Sequence, residues 1–466
     1  MNDTICAIAT APGGALGIIR ISGCKAIDIA SKIFFPKNRK PFHSVHANHA
    51  TLGTIEYENQ VIDEVVGVPF YAPHSYTGEN SVEFSCHGSQ YILSKIVQIL
   101  ISNSCIIAQP GEYTKRAFLN GKMDLSQAEA VADVISANSE AYNKIAINQL
   151  RGGIKDMLAI MHEKIINLRT LLELELDFSD HEDLEFAQRP QLLSMANELK
   201  SEMDKLASTF SMGNTIKNGV PVVIAGSPNV GKSTLMNALL EEERAIVSDI
   251  PGTTRDTIEE KIYISGIEFR LTDTAGLRQT NDKIENLGIA RAIESVKKAQ
   301  TIVYIVSATE HTHNLPFAEI KIPKEAQLII AINKTDLISD KKTLQEKGNA
   351  VKAQTEKLLG ITPTVVYMSA KEKTGVECLK KALVNIQNVN VSFSTSTIIV
   401  NKRHYEALVK ASLNMQNVIN NISNNVSAEL VSLDLRQVDY DLMEITGVIT
   451  PQEVLNNIFS KFCVGK

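Results

Sequence analysis

A chain of 466 residues, 44% hydrophobic and 21% charged, has room for about three globular domains and the composition of a soluble protein, not a fibrous or disordered one. No apolar run reaches the roughly 18 residues that a bilayer span needs, and the start, Met1-Asn2-Asp3-Thr4-Ile5-Cys6, lacks the basic and apolar blocks of a secretory signal. A net charge of −6 excludes a global nucleic-acid footprint but leaves room for a local basic surface, and six scattered cysteines without a Cys-x-x-Cys pair or zinc spacing point to reduced thiols in a cytoplasmic protein.

Residues 1–122 mix short β-like runs with Gly/Pro punctuation. Residues 15–23, 61–70 and 81–88 read as strands and 90–100 as a helix, which predicts a compact α+β domain. From Asp124 the pattern turns helical. Ser126-Gln127-Ala128-Glu129 reads as a capping box, and Ala128, Val131, Ala132 and Ile135 follow at helical spacing. Helical character runs to about Ser211, interrupted by the acidic stretch 177–183, which is open to two readings: a metal site or, favoured, a solvated bend. Residues 217–388 alternate strands with helices. The strand-like runs are 220–225, 261–264, 267–271, 301–306, 327–332 and 364–368. Nearly continuous apolar runs separated by helices predict a mainly parallel sheet covered on both faces, with ligands at the carboxyl ends of its strands. Residues 389–466 return to helix. Val431, Leu435, Val438, Leu442 and Ile445 form one stripe closed by Gly447, and Thr450-Pro451-Gln452-Glu453 reads as a second capping box with Pro at the first helical position. Neither helical stretch is self-sufficient, so 123–216 and 389–466 are expected to form one helical domain into which 217–388 is inserted.

Between the strand at 220–225 and a following helix stands Gly226-Ser227-Pro228-Asn229-Val230-Gly231-Lys232-Ser233, the G-x-x-x-x-G-K-S pattern of a phosphate-binding P-loop. Its glycines let backbone N–H groups converge on an anion, Lys232 can reach the outer phosphates, and Ser233 can join the shell of a magnesium ion. Asn229 to Thr234 are thus expected on the nucleotide. Asn333-Lys334-Thr335-Asp336 follows the strand at 327–332. The Asp336 carboxylate can accept from guanine N1–H and the exocyclic amine, a donor pair adenine lacks, so GTP is expected over ATP. Ser369-Ala370-Lys371, after the last strand, is expected to close over the base.

Asp273-Thr274-Ala275-Gly276 follows the strand at 267–271; Asp273 is suited to hold magnesium through water and the Gly276 N–H to sense the γ-phosphate. The segment Ser248-Asp249-Ile250-Pro251-Gly252-Thr253-Thr254 is also expected on the nucleotide, with Thr254 or Thr253 supplying a second hydroxyl for magnesium. Leu277 stands where Ras-type enzymes carry a water-orienting glutamine, so the catalytic group must come from elsewhere, with candidates within 278–285. A carboxylate such as Glu285 can polarise water through a second water, and a monovalent cation can replace an arginine finger.

With these residues assembled, the chain resembles the MnmE family (also called TrmE), tRNA uridine-modifying GTPases. The resemblance spans nearly the whole length, and its specific marks lie outside the GTPase motifs: Gly17-Ile18-Ile19-Arg20-Ile21-Ser22-Gly23, Tyr76-Thr77-Gly78-Glu79 through Glu83 to His87-Gly88, Pro110-Gly111-Glu112-Tyr113-Thr114-Lys115-Arg116-Ala117-Phe118-Leu119-Asn120, and the terminus Phe462-Cys463-Val464-Gly465-Lys466. It implies an N-terminal α+β tetrahydrofolate-binding-like domain that mediates homodimerisation, a discontinuous all-α helical domain and an inserted Ras-like P-loop G domain. It further implies a 5-formyl- or methylene-tetrahydrofolate donor, with Arg20, Glu83, Lys122 and Lys466 matching the folate-contacting positions. Ser233 and Thr254 match the magnesium ligands. Asn229, Ser248, Ile250 and Thr253 match a potassium loop that activates hydrolysis through G-domain dimerisation, and Glu285 matches the water-polarising glutamate. Pro251 stands where the family varies and fits a turn. The implied partner is an MnmG/GidA-type flavoprotein, in a heterotetramer or larger complex, and the implied substrate a tRNA whose wobble uridine gains an aminomethyl or carboxymethylaminomethyl group at C5. Cys463 is open to two readings, a nucleophile toward uracil C6 or an inert buried thiol. One other class competes, a ribosome-assembly GTPase of the Era/Der kind, which predicts a KH domain or basic tail; a membrane-transport GTPase such as FeoB is excluded because no apolar run is long enough to span a bilayer.

Overall fold

The computed structural model describes residues 3–11, 13–177, 189–243, 259–273, 299, 301–310, 326–386 and 397–465. Two compact units share the chain: Met1–Ser136, Ala146–Asp204 and Glu406–Lys466 form one, and Ala137–Ile145 and Lys205–Tyr405 the other.

The first unit carries a seven-stranded sheet in the order β3-β4-β5-β6-β2-β1-β7. Its strands are β1 (Ile5–Ile8), β2 (Leu16–Ser22), β3 (Phe34–Pro36), β4 (Thr51–Tyr57), β5 (Gln60–Phe70), β6 (Ser81–His87) and β7 (Ile106–Ile107). All neighbours are antiparallel except β1 and β7. Side chains alternate across a strand. Ile19 and Ile21 of β2 and Val82, Phe84 and Cys86 of β6 therefore enter one core with helices α1 (Ala26–Ile33) and α2 (Gln90–Ser102). Arg20 and Glu83 are the intervening residues, directly opposed in the β2–β6 register, and so stand on the other face.

Helix α3 (Glu112–Leu119) leads to α4 (Leu125–Ser136), α5 (Glu140–Leu150), α6 (Gly153–Asp177) and α7 (Arg189–Asn218). The capping box of α4 is displaced from its expected place. Asp124 Oδ1 accepts from Gln127 N (2.8 Å) and Ser126 Oγ (2.7 Å), while Gln127 Oε1 accepts from Asp124 N (3.0 Å). The box is thus Asp124-x-x-Gln127, because the apolar stripe starts at the fully buried Leu125, which packs with Ala128, Leu455 and Phe459 and draws Ser126 inside the first turn. The acidic stretch from 178 to 183 lies outside the described residues.

In the second unit a six-stranded sheet has the order β13-β12-β11-β8-β10-β9. It is parallel except where β9 (Glu259–Ile264) meets β10 (Ile267–Asp273). β8 (Val220–Gly226) precedes α8 (Lys232–Glu243); β11 (Thr301–Ser307), β12 (Gln327–Asn333), α9 (Lys341–Leu359), β13 (Thr364–Tyr367) and α10 (Val376–Ile386) follow. Both faces of the sheet are buried. Val222, Ile224, Val303, Ile305 and Ile329 enter one core, Val223, Ala225, Ile302, Tyr304 and Ile330 the other. That is why these strands read as unbroken apolar runs.

The chain closes with α11 (Lys402–Ser423), which re-enters the first unit at Glu406, α12 (Ala428–Thr446) and α13 (Gln452–Phe459). All five residues of the α12 stripe are buried, and Gly447 ends the helix in the left-handed conformation at φ 83°, its N–H on the Met443 carbonyl. Helix α13 begins one residue later than expected. Pro451 is its cap, at φ −57° and ψ 144°, and Thr450 Oγ1 is buried without a hydrogen-bond partner among the described residues.

Candidate nucleotide site

The P-loop joins β8 to α8 at the carboxyl end of the parallel sheet, with Gly226 at φ 155°, Asn229 at φ 60° and Gly231 at φ 103°. Gly226 and Gly231 are obligatory for space as well as angle. A Cβ at 226 would approach the Ile305 carbonyl oxygen to 2.6 Å, and one at 231 would overlap the Asn333 amide. Val230 is buried, whereas Asn229, Ser233 and Thr234 are exposed on the loop and the first turn of α8. The Lys232 ammonium donates to the carbonyls of Gly226 and Ser227, both at 2.9 Å, and so lies over the loop.

β12 delivers the next group. Asn333 is buried, and its side chain bridges two loops: Nδ2 donates to the Val230 carbonyl (2.8 Å), and Oδ1 accepts from Ala370 N (2.9 Å). Lys334, in the left-handed region at φ 63°, donates from Nζ to the Asn229 carbonyl (2.7 Å). The Thr335 N–H meets the Met368 carbonyl at 3.3 Å. Asp336 is exposed in the single turn Thr335–Leu337. Ser369 is buried, receives Glu372 N on its hydroxyl (3.2 Å), and precedes the exposed Lys371. Three segments that the sequence suggested separately, 229–234, 333–336 and 369–371, are thus tied together by Asn333 and Lys334. Asp273 closes β10, the strand beside β8. Ser248, Asp249, Ile250, Pro251, Gly252, Thr253, Thr254, Thr274, Ala275, Gly276 and Glu285 lie outside the described residues.

A second polar constellation occupies the first unit. Arg20 Nε donates to Glu83 Oε1 at 2.8 Å, and its Nη1 reaches the Gly465 carbonyl at 3.2 Å. The guanidinium lies 5.5 Å from the Tyr76 ring centre and 5.6 Å from that of Tyr113. Tyr113 Oη donates to the Arg20 carbonyl (2.8 Å), and burial pushes its phenol well above the ordinary range. Beneath the loop that carries Tyr76, the fully buried Arg116 binds Glu112 (2.8 Å) and Glu79 (3.2 Å), while Ser22 Oγ donates to Glu79 (2.8 Å). Lys122 reaches the Pro73 carbonyl at 3.0 Å. Lys466 lies outside the described residues. Cys463 is exposed, so the buried-thiol reading of this residue does not hold.

A family model of the GTP-binding protein TrmE N-terminus matches residues 4–122, and one of the MnmE helical domain matches residues 125–463. The tRNA modification GTPase MnmE of Bacteroides fragilis is 46% identical over 469 residues, with both chains covered in full. That of Flavobacterium johnsoniae is 43% identical over 473 residues, covering all of this chain and 99% of the relative. The chain belongs to the MnmE family of tRNA modification GTPases.

The FeoB G domain of Methanococcus jannaschii is similar over 36% of this chain and 98% of that one, at 30% identity and a TM-score of 0.26. Among the described residues, no helix is long and apolar enough to cross a membrane. This MnmE-family chain combines an N-terminal α+β part, a helical part and a P-loop α/β part, the fold class that the strand and helix patterns predict. Three contributors were not legible beforehand. Tyr76 and Tyr113 sit inside stretches singled out for other residues, and only the close approach of their rings brings them to Arg20. The Gly465 contribution is a backbone carbonyl, which leaves no side-chain signal.

Proposed function

We propose that this MnmE-family chain is a GTP-hydrolysing, cytoplasmic enzyme that works with an MnmG/GidA-type flavoprotein. Together they add an aminomethyl or carboxymethylaminomethyl group at C5 of the wobble uridine of certain tRNAs, with a tetrahydrofolate one-carbon donor. Its domains are 1–122, for folate and homodimerisation; 123–216 with 389–466, helical; and 217–388, the G domain.

The observation that carries this reading is the Arg20–Glu83 pair flanked by Tyr76 and Tyr113 in the same chain as a P-loop site. An RNA-binding switch of the Era/Der kind has no use for it. The residues fit a folate: a carboxylate can pair with a pterin edge, Arg and Lys can hold its carboxylates, and tyrosine rings offer flat apolar walls. When bound, the folate supplies a one-carbon unit, and Arg20, Glu83, Lys122 and Lys466 would hold it. Magnesium would sit on Ser233 and Thr254. Ser233 fits, being exposed at the first turn of α8 beside Lys232. Potassium would sit on Asn229, Ser248, Ile250 and Thr253. Asn229 fits, with an exposed side chain on a loop fixed from behind by Lys334. With Leu277 unable to orient water, Glu285 takes that role through a second water.

Calorimetric titration of the full chain with 5-formyltetrahydrofolate tests the reading. Binding is expected, weakened at least about tenfold in Arg20→Ala; a wild-type chain that binds no folate overturns the proposal in favour of the RNA-binding switch. Glu285→Ala should bind GTP yet hydrolyse it roughly a hundredfold or more slowly in a single turnover, and an unchanged rate removes Glu285 from the mechanism.

A further inference from the structure

Lys347, in the middle of α9, belongs to none of the motifs above. Its Nζ donates to the carbonyls of Ser307 (2.8 Å) and Ala308 (2.7 Å) and also to that of Glu310. An ammonium has three donors, and here three carbonyls at and just beyond the end of one strand take all of them. Burial pushes the lysine below its ordinary pKa range. The adjacent Gly348 fixes the register of α9 on the sheet, because a Cβ there would overlap the Tyr367 hydroxyl.

The clamped strand is central to the nucleotide site. β11 lies between β8, which feeds the P-loop, and β12, which feeds 333–336. The Ala308 N–H donates to the Asn333 carbonyl at 2.7 Å. A continuous path therefore runs from Lys347 through Ala308 to Asn333, and from Asn333 to the Val230 carbonyl and Ala370 N–H. Each link is a direct hydrogen bond. On the P-loop side, Lys334 and Lys232 add their own contacts to the loop carbonyls. On the base side, Asn333 stands opposite Ser307 in the β11–β12 register, so the clamped end of β11 backs its main chain directly.

We propose that Lys347 is a positioning residue for guanine recognition, holding the end of β11 so that Asn333, and with it the turn bearing Asp336, stays in register with 369–371. This rests on the reading of the site as a GTP site, and it assigns Lys347 to the base side of that site and not to phosphate binding or hydrolysis.

The test compares fluorescent GDP with inorganic tripolyphosphate as a competitor that has no base, on the full chain as wild type, K347M and K347R. Met keeps the stem and removes the donors. K347M is expected to weaken GDP about tenfold, the scale of lost hydrogen bonds to a charged group. Tripolyphosphate affinity and the hydrolysis rate at saturating GTP are expected to stay within about twofold, since the P-loop keeps its own contacts. Unchanged GDP affinity, or equal losses for both ligands, overturns the proposal. If K347M does not fold, K347R carries the same comparison. A planar guanidinium cannot bring three carbonyls onto one nitrogen, so a smaller loss confined to GDP supports the proposal and an equal loss overturns it. A wild-type chain that fails to bind GDP at all would instead overturn the GTP reading itself.

Discussion

Asn333 is the residue that ties the P-loop to the loop after β13. The N-K-x-D pattern directs attention to Asp336, whose carboxylate matches guanine, yet Asp336 stands exposed on its turn while Asn333 is buried and spends both ends of its amide on other loops. Removing that amide leaves the Val230 carbonyl and the Ala370 N–H without it, and unsatisfied groups of this kind cost about 1–3 kcal/mol each. Asn333→Ala should therefore weaken GDP roughly ten- to a hundredfold, measured by fluorescent-nucleotide titration, while the circular dichroism spectrum stays that of the wild type; undiminished affinity would show that the bridge does not organise the pocket. The residue type was visible in the motif. Its partners were not, because they lie 103 and 37 positions away in sequence and only the parallel order of β8, β12 and β13 brings them together.

Among the elements, the helix starts show where local patterning stops short. Ser126-x-x-Glu129 and Asp124-x-x-Gln127 are both acceptable capping boxes, offset by two residues. Leu125 decides between them. It is fully buried against Leu455 and Phe459 from the far end of the chain, so the helix must already be under way at 125. Loss of an N-cap costs about 1 kcal/mol. Asp124→Ala should lower the stability of the first unit by about that amount in denaturant unfolding, and a change indistinguishable from zero would return the cap to Ser126. The stripe of α12 behaves differently. Every one of its residues is buried as the 3.6-residue period requires, since a single partner face along its length, supplied largely by α6, makes amphipathic spacing sufficient. The same helix holds the fully buried Asp441, which accepts from Lys410, Asn414 and Gln437, a network that no apolar period announces.

At the scale of the molecule, the chain passes repeatedly between two compact units, and the P-loop site belongs wholly to one of them. A ligand that binds the folded state raises its stability by RT ln(1 + [L]/Kd), about 2.7 kcal/mol at a hundredfold excess over Kd. Differential scanning calorimetry with saturating GDP should raise the transition of the unit containing Lys205–Tyr405 and leave the other nearly in place, whereas 5-formyltetrahydrofolate should do the reverse. Equal shifts of both transitions with either ligand would show that the units unfold as one.

The linear sequence determined which motifs the chain carries: a P-loop with its Lys232 and Ser233, an Asn-Lys-x-Asp run ending in Asp336, an apolar Leu277 after Asp273-Thr274-Ala275-Gly276, and the apolar runs of a mainly parallel sheet. These are short-range features, because a turn, a cap or a buried strand is specified by neighbours within a few residues. Tertiary structure decided who touches whom. It set Asn333 between two loops, laid Tyr76 and Tyr113 by Arg20, brought the Gly465 carbonyl to that same guanidinium from 445 residues away, and put Lys347 beneath the end of β11. Contacts of this kind depend on strand order and on backbone atoms common to every residue, so no side-chain pattern along the chain can encode them by itself.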